Sequence, residues 1–262
     1  MRAPSYLLIG VGILTAAGCS LPVRSSNLLT NCPDRTKWCP EIQATARASY
    51  LFAQLAENAY HDTGGFVLPD SIRRDTVVSL DGSGFSASVY SLLSGAARQQ
   101  VVIAYRGTQF TSWKDWTRGN IGMLQNRQAL AFYDSVRTRI PATVPITVTG
   151  HSLGGAMATS VSLRRAGVPT YVFNTSSHFT RGTIEDSPRV SVASYGEILK
   201  GVRFVLRNTD QIHTVVPCTE GNIVARHSQR ALATCLTQIA ALTDSGAAQS
   251  LRRNGLFSRP TP

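Results

Sequence analysis

Apolar residues recur along this chain with two different periods. Between Glu41 and Tyr60 they return every three or four positions, which predicts a long amphipathic helix with Ile42, Ala46, Ala53, Ala56 and Tyr60 on its inner face. Between Phe85 and Val89 they alternate with serines instead, which predicts a half-buried strand.

The same alternation of strand and helix patterns continues along the chain. Val101 to Tyr105 is apolar at every position, which is typical of a strand in the middle of a sheet. Further strands are predicted over 145–149, 170–173 and 202–206. Helices are predicted over 127–140, with Ala131, Val136 and Ile140 inward, and over 152–166. This order indicates an α/β fold whose mainly parallel central sheet carries helices on both faces.

The two ends of the chain differ from its middle in composition. An apolar run ending in Ala16-Ala17-Gly18-Cys19 predicts an export signal over residues 1–18. Small residues before a lone cysteine resemble a bacterial lipobox, although Ala16 stands where that pattern prefers Leu. We therefore expect lipidation at Cys19 and a lipid-anchored protein of the bacterial cell envelope, periplasm or outer membrane; an ordinary cleaved signal and an uncleaved anchor are the alternatives.

The remaining boundaries follow from composition as well. Residues 19–40, rich in Ser, Asn and Pro, predict a tether, residues 41–243 one domain, and residues 244–262 a flexible tail. Four cysteines remain besides Cys19, and an even number in an exported chain predicts two disulfides. Three pairings are possible, and neighbourhood favours Cys32 with Cys39 and Cys218 with Cys235. Zinc is disfavoured because no histidine lies at finger-like spacing from either pair, so we expect no metal and no cofactor.

The formal charge of +11 makes this a basic protein. A basic surface favours anionic partners such as phospholipid head groups, although charges scattered over a solvated surface are the plainer interpretation. No basic helix or repeat of aromatic and basic residues points to nucleic acid.

The strongest chemical signal lies between the predicted strand ending at Thr149 and the helix that follows. Gly150-His151-Ser152-Leu153-Gly154 has the pattern of a nucleophile elbow, with Ser152 as nucleophile and glycines where the backbone is crowded. The Leu153 amide, at the start of the helix, would stabilise an oxyanion. An ordinary glycine-rich turn is the alternative.

A serine nucleophile needs a histidine base and a carboxylate, in the chain order Ser, Asp, His for this type of site. Asp210 follows a predicted buried strand, whereas Asp186 belongs to a polar loop. His178 precedes Asp210, and His213 lies only three residues beyond it, so His227 is the predicted base and His213 the second choice. A polar residue opening a helix is the alternative for His227, and His61 and His151 are taken as structural.

The second oxyanion donor should follow an earlier strand. Thr108, in Tyr105-Arg106-Gly107-Thr108, offers both an amide and a hydroxyl there.

Together with Asp115-Trp116, Asn208-Thr209-Asp210 and Val216-Pro217, these motifs make residues 41–240 similar to the class 3 lipases, which include the fungal triacylglycerol lipases. The resemblance implies an α/β-hydrolase fold with Ser152 as nucleophile, Asp210 as acid, and Thr108 and Leu153 as oxyanion donors. It differs at the base, because His227 follows Asp210 by only 17 residues.

The resemblance also places a lid over Gln109 to Leu124. Its apolar residues among Lys114 and Arg118 suit a membrane interface, with packing in the core as the alternative.

The predicted function is that of a carboxylic ester hydrolase, of lipase or phospholipase A type, which cleaves lipid acyl esters through an acyl-enzyme. Its partners are the lipid ester and a membrane surface, reached by the lipid anchor and lid residues. An acyltransferase, and a lipoprotein that only binds lipid or protein, are the alternatives.

Overall fold

The computed structural model describes residues 24–26, 38–63, 65–80, 82–107, 119–180, 182–183, 186–197, 212–218 and 221–257. Its strands are β1 (Arg24–Ser26), β2 (Ile72–Leu80), β3 (Phe85–Ser94), β4 (Ala97–Tyr105), β5 (Ile146–His151), β6 (Thr170–Phe173), β7 (Arg189–Ser194) and β8 (Ile212–Val216). They form one sheet in the order β1-β8-β7-β6-β5-β4-β3-β2.

Most neighbouring strands in this sheet run parallel. All pairs from β4 to β8, and β1 with β8, are parallel, whereas β2 and β3 join as antiparallel strands at one edge. The helices are α1 (Pro40–Asn58), α2 (Gly119–Arg137), α3 (Leu153–Ser162), α4 (Gln229–Ala240) and α5 (Ser245–Arg253), and a 3₁₀ turn covers Ala225–His227.

The helices pack on both faces of the sheet. On one face, α1, α4 and α5 share a core with residues of β6 to β8; on the other, α2 and α3 pack on alternate residues of β3, β4 and β5. The predicted mainly parallel α/β-hydrolase architecture is confirmed.

Helix α1 has the apolar stripe that the sequence predicts. Ile42, Ala46, Ala53 and Ala56 are buried, and Tyr60 lies two residues beyond the helix end. Buried Gln54 ties α1 to the other helices of its layer, because its Nε2 donates to Thr237 Oγ1 of α4 at 2.8 Å and to Ser250 Oγ of α5 at 2.9 Å.

Two burial predictions were wrong. Strand β3 is buried on both faces, because Phe85, Ala87 and Val89 pack in the core with α2 and α3, while Tyr90 packs with Leu55 of α1 on the other face. Its serines find partners in the sheet; Ser86 accepts from Ser79, for example. In α2, Ala131 is exposed, while Ala129, Tyr133 and Val136 face the core. A residue two positions from a buried one is turned about 200° around the helix, so Ala131, two positions from both Ala129 and Tyr133, points away from the core. The predicted burial of Val136 is confirmed.

The predicted flexible tail is also corrected over the part of it that the structure describes. Residues 245–253 form α5, whose N-terminus is capped by the Asp244 carboxylate accepting from the Ala247 amide at 2.7 Å. Ala247 and Leu251 are buried against the neighbouring helices. Only these two apolar residues face inward, so composition favours disorder, whereas tertiary packing stabilises a helix.

A disulfide joins Cys218, just after β8, to Cys235 of α4, which confirms one predicted pair. Cys39 is also disulfide-bonded. Its predicted partner Cys32 and the predicted strand 202–206 lie outside the described residues. None of the described helices has the length and apolar content needed to cross a membrane.

Candidate active site

Ser152 occupies a sharp turn between β5 and α3. Its backbone has φ 55° and ψ −122°, a conformation that residues other than glycine rarely adopt. The neighbouring strand holds it there, because the Ser152 amide donates to the Phe173 carbonyl at 3.0 Å and the Ser152 carbonyl accepts from the Ser176 amide at 3.0 Å. The turn therefore has the strained geometry of a nucleophile elbow.

The glycines around Ser152 are required by close backbone contacts. A Cβ on Gly150 would overlap the backbone of Gly154, and a Cβ on Gly154 would overlap the carbonyl of Tyr105 at the end of β4. The pattern of glycines two positions before and two positions after the serine therefore has a steric cause.

The predicted oxyanion donors differ in what the structure describes of them. Leu153 opens α3, where first-turn amides have no acceptor within the helix and can serve a ligand. Thr108 lies outside the described residues. Gly107, one position earlier, borders the elbow closely, because a Cβ on it would lie 3.3 Å from the Gly154 amide nitrogen. The loop after β4 therefore begins against the elbow.

His227 is buried in a pair with a carboxylate that the sequence analysis did not select. Its Nδ1 lies 2.8 Å from Oε2 of Glu197, with 4% of the His227 side chain and none of the Glu197 side chain exposed. Glu197 follows β7 after a short turn at Tyr195-Gly196, and the Glu197 amide donates to the Ser194 carbonyl. The carboxylate holds an Nδ1–H, which leaves Nε2 as the basic nitrogen.

Glu197 was missed because only aspartates were compared as partners for the base. Part of the signal was present in the sequence, since Glu197 follows Gly196 and keeps the chain order serine, acid, histidine; strand β7 before it was not predicted. The predicted acid, Asp210, lies outside the described residues.

The residue before the serine brings His227 to the elbow. The rings of His151 and His227 have centroids 4.6 Å apart, and His151 Nε2 donates to the His227 carbonyl at 2.9 Å. His227 thus lies beside the peptide unit that carries Ser152.

The second-choice base is far from this point. His213 lies within β8, where its Nδ1 is 3.2 Å from Ser191 Oγ. The register aligns His213 with Gly150 across three strand spacings, about 14 Å at about 4.8 Å each. His213 therefore cannot reach Ser152. His178, the first histidine after the serine, has its Nδ1 at 2.9 Å from Ser176 Oγ.

Within the described ranges, no group of three or more His, Cys, Asp or Glu side chains is placed to hold a metal ion. The features present are a strained serine, amides at a helix start and a buried histidine–carboxylate pair. They meet at the carboxyl ends of parallel strands, where α/β folds place their functional groups.

The sheet topology and the elbow define the class of this protein: it is an α/β-hydrolase. More narrowly, the chain belongs to the phospholipase-like family of the Tle-like phospholipase domain, which matches residues 48–261. No curated protein matches it.

Several solved structures are similar to this chain. A lipase from Rhizopus microsporus var. chinensis is 14% identical, with 72% of this chain and 79% of that chain covered and a TM-score of 0.45. The Rhizomucor miehei lipase propeptide complex is 18% identical, with coverage of 63% and 65% and a TM-score of 0.44. A triacylglycerol lipase from Penicillium expansum is 13% identical, with coverage of 84% and 91% and a TM-score of 0.44.

Proposed function

We propose that this protein is a serine hydrolase that cleaves the acyl esters of lipids, as a phospholipase A or lipase. The observation that carries the proposal is the buried His227–Glu197 pair packed on His151, the residue that precedes the strained Ser152. A buried pair of this kind gives a hydroxyl a base whose tautomer and orientation are fixed.

In the proposed reaction, Ser152 Oγ attacks the ester carbonyl while His227 Nε2 takes the hydroxyl proton. The tetrahedral oxyanion is stabilised by the amides of Leu153 and Thr108. The C–O bond to the alcohol then breaks, and His227 returns the proton to that alcohol as it leaves. Water, deprotonated by the same nitrogen, attacks the acyl-enzyme carbonyl. The bond from that carbon to Ser152 Oγ then breaks, His227 returns the proton to Oγ, and the fatty acid is released.

Glu197 is proposed as the acid that orients His227, since its carboxylate contacts Nδ1 directly. Asp210 is the alternative acid, and the two assignments predict different losses of kcat on substitution of each carboxylate.

Three observations favour a lipid ester over a small soluble ester. The family that the chain belongs to is phospholipase-like. The chain is strongly basic, which suits anionic head groups. Met123 and Leu124, at the end of the proposed lid, are 58% and 47% exposed at the start of α2. Exposed apolar residues near basic ones suit a membrane interface.

We also propose that Cys19 carries the lipid that keeps the enzyme in the bacterial cell envelope. In a bacterial host, wild type should label with a palmitate analogue and sediment with membranes, and Cys19→Ala should do neither. Labelling of the alanine variant equal to wild type would contradict the anchor.

The catalytic proposal is tested with a panel of phospholipids and triglycerides and with a fluorophosphonate probe. Wild type should release fatty acid from at least one lipid class and label with the probe. Ser152→Ala should do neither, and Ser176→Ala, which removes a buried serine next to the elbow, should still label. Wild-type protein that is folded yet inert to both lipid and probe would overturn the proposal and favour a binding role.

A further inference from the structure

A continuous chain of hydrogen bonds runs behind the elbow from the loop after β4 to the backbone of His227. The Gly107 amide lies 3.1 Å from the Tyr60 hydroxyl oxygen, and that oxygen lies 3.0 Å from His151 Nδ1. His151 Nε2 in turn lies 2.9 Å from the His227 carbonyl oxygen. Two side chains thus connect the two halves of the proposed site.

The partners fix the direction of these hydrogen bonds. An amide can only donate, so Tyr60 oxygen accepts from Gly107; a carbonyl can only accept, so His151 Nε2 carries a proton. In the neutral imidazole, Nδ1 then accepts the Tyr60 hydroxyl proton. Burial raises the pKa of Tyr60 well above its ordinary value of 10.0, so the hydroxyl keeps that proton. All donors in the chain therefore point the same way.

The packing around this chain leaves little room for adjustment. The Tyr60 hydroxyl fills the space beside Gly107 so closely that a Cβ there would overlap it. The Tyr60 ring meets the edge of His151, with centroids 5.9 Å apart, and His151 packs on the ring of His227 at 4.6 Å. A displacement of Gly107 would therefore also displace the backbone of His227.

We infer that Tyr60 and His151 are positioning residues that set the oxyanion loop and the base relative to each other. Through Gly107 they fix the start of the loop that leads to Thr108, and through the His227 carbonyl they fix the backbone of the base. Neither residue transfers a proton to substrate. The inference rests on the proposed hydrolytic function and explains why a histidine precedes the nucleophile.

Tyr60→Phe removes the hydroxyl and keeps the ring. We expect kcat for the best lipid ester to fall roughly 10- to 100-fold, the scale of misplacing reacting groups by about 1 Å, with KM unchanged within about twofold. The rate of fluorophosphonate labelling should fall by a similar factor, because it needs the same alignment.

Tyr90→Phe is the matched control. The Tyr90 hydroxyl, on β3, is also buried and accepts a hydrogen bond of 3.1 Å, from Arg74, and it lies outside the proposed site. This variant should lose stability without losing kcat.

Two substitutions at His151 test its two hydrogen bonds separately. His151→Asn can keep an acceptor near Tyr60 but is too short for the His227 carbonyl, whereas His151→Gln can reach that carbonyl but loses the Nδ1 acceptor. Each should lower kcat, and combining His151→Gln with Tyr60→Phe should cost no more than the larger single loss, because both break the same link.

The outcomes separate this inference from the proposed function. Wild-type hydrolysis with kcat unchanged in folded Tyr60→Phe would overturn the positioning role and leave the hydrolase assignment intact. Fully additive losses in the double variant would overturn it too. Absence of wild-type hydrolysis and labelling would instead refute the function on which it rests.

Discussion

The backbone of Ser152 stores strain at the point where the proposed chemistry takes place. A positive φ on a residue with a side chain costs about 1–3 kcal/mol and persists only where the surroundings enforce it. Here two hydrogen bonds supply that enforcement: the Ser152 amide donates to Phe173 at the end of β6, and the Ser152 carbonyl accepts from Ser176 just beyond that strand. The hydroxyl is held in place at the expense of stability.

This strain predicts that Ser152→Gly is more stable than Ser152→Ala by about 1 kcal/mol, although both are inactive. Glycine accepts the positive φ, and the relief exceeds the extra entropy that glycine loses on folding, about 0.5–1 kcal/mol. Urea unfolding of the two variants measures the difference. Equal or reversed free energies of unfolding would mean that the turn is not strained.

Two carboxylates, Glu197 and Asp210, are candidates for the acid that orients His227. If Glu197 orients His227, Glu197→Gln should lower kcat by up to about 10⁴-fold, because the amide can stabilise the wrong imidazole tautomer. Asp210→Asn should then have a much smaller effect. Steady-state kinetics of both variants decide the matter, and the opposite ranking would assign the acid to Asp210.

At the scale of elements, the proposed base depends on how β8 and α4 are joined. His227 lies in the segment between them, and the Cys218–Cys235 disulfide closes this segment over a separation of 17 residues. Both cysteines are buried, so the bridge fixes the middle of α4 against the chain that leaves β8. The segment that carries His227 is thereby confined.

Removing this disulfide by the double change Cys218→Ser and Cys235→Ser should lower the free energy of unfolding by about 2–4 kcal/mol. A loop of this size gains that much freedom in the unfolded chain. Thermal unfolding of the variant and of wild type, each with and without reductant, measures the loss. Reductant should lower the Tm of wild type much more than that of the variant; equal shifts would place the stabilisation elsewhere.

At the scale of the whole molecule, buried tyrosines link stability to alkaline pH. Burial raises the pKa of Tyr90 and Tyr105 above 10.0, and both side chains are fully inaccessible. Their contribution is fully present below pH 10. It is lost as pH rises above 10, because the unfolded chain then releases protons that the folded chain retains.

The expected result is a fall in unfolding free energy above pH 10, with each such tyrosine contributing up to about 1.4 kcal/mol per pH unit. Urea titrations at pH 8, 9, 10 and 11 test this. Tyr90→Phe should flatten the slope between pH 10 and 11, whereas a slope unchanged in that variant would attribute the alkaline transition to other groups.

Much of the fold was predictable from local pattern. Strands β4 and β6 and helix α1 appear where periodicity places them, because each has a long enough apolar signal of one period. The prediction was wrong where that signal was short, as at Ala131, or where two apolar residues had to outweigh a polar composition, as in α5. In both places contacts with distant segments decide the structure.

The sequence by itself determined the alternation of strand and helix and the elbow around Ser152, because both depend on neighbouring residues and on glycines that a crowded turn requires. Only the tertiary structure decided which carboxylate meets His227 and that His213 is too far away. Strand order and register set those distances. Glu197 and His227 are 30 positions apart in the chain, and only the folded sheet makes them neighbours.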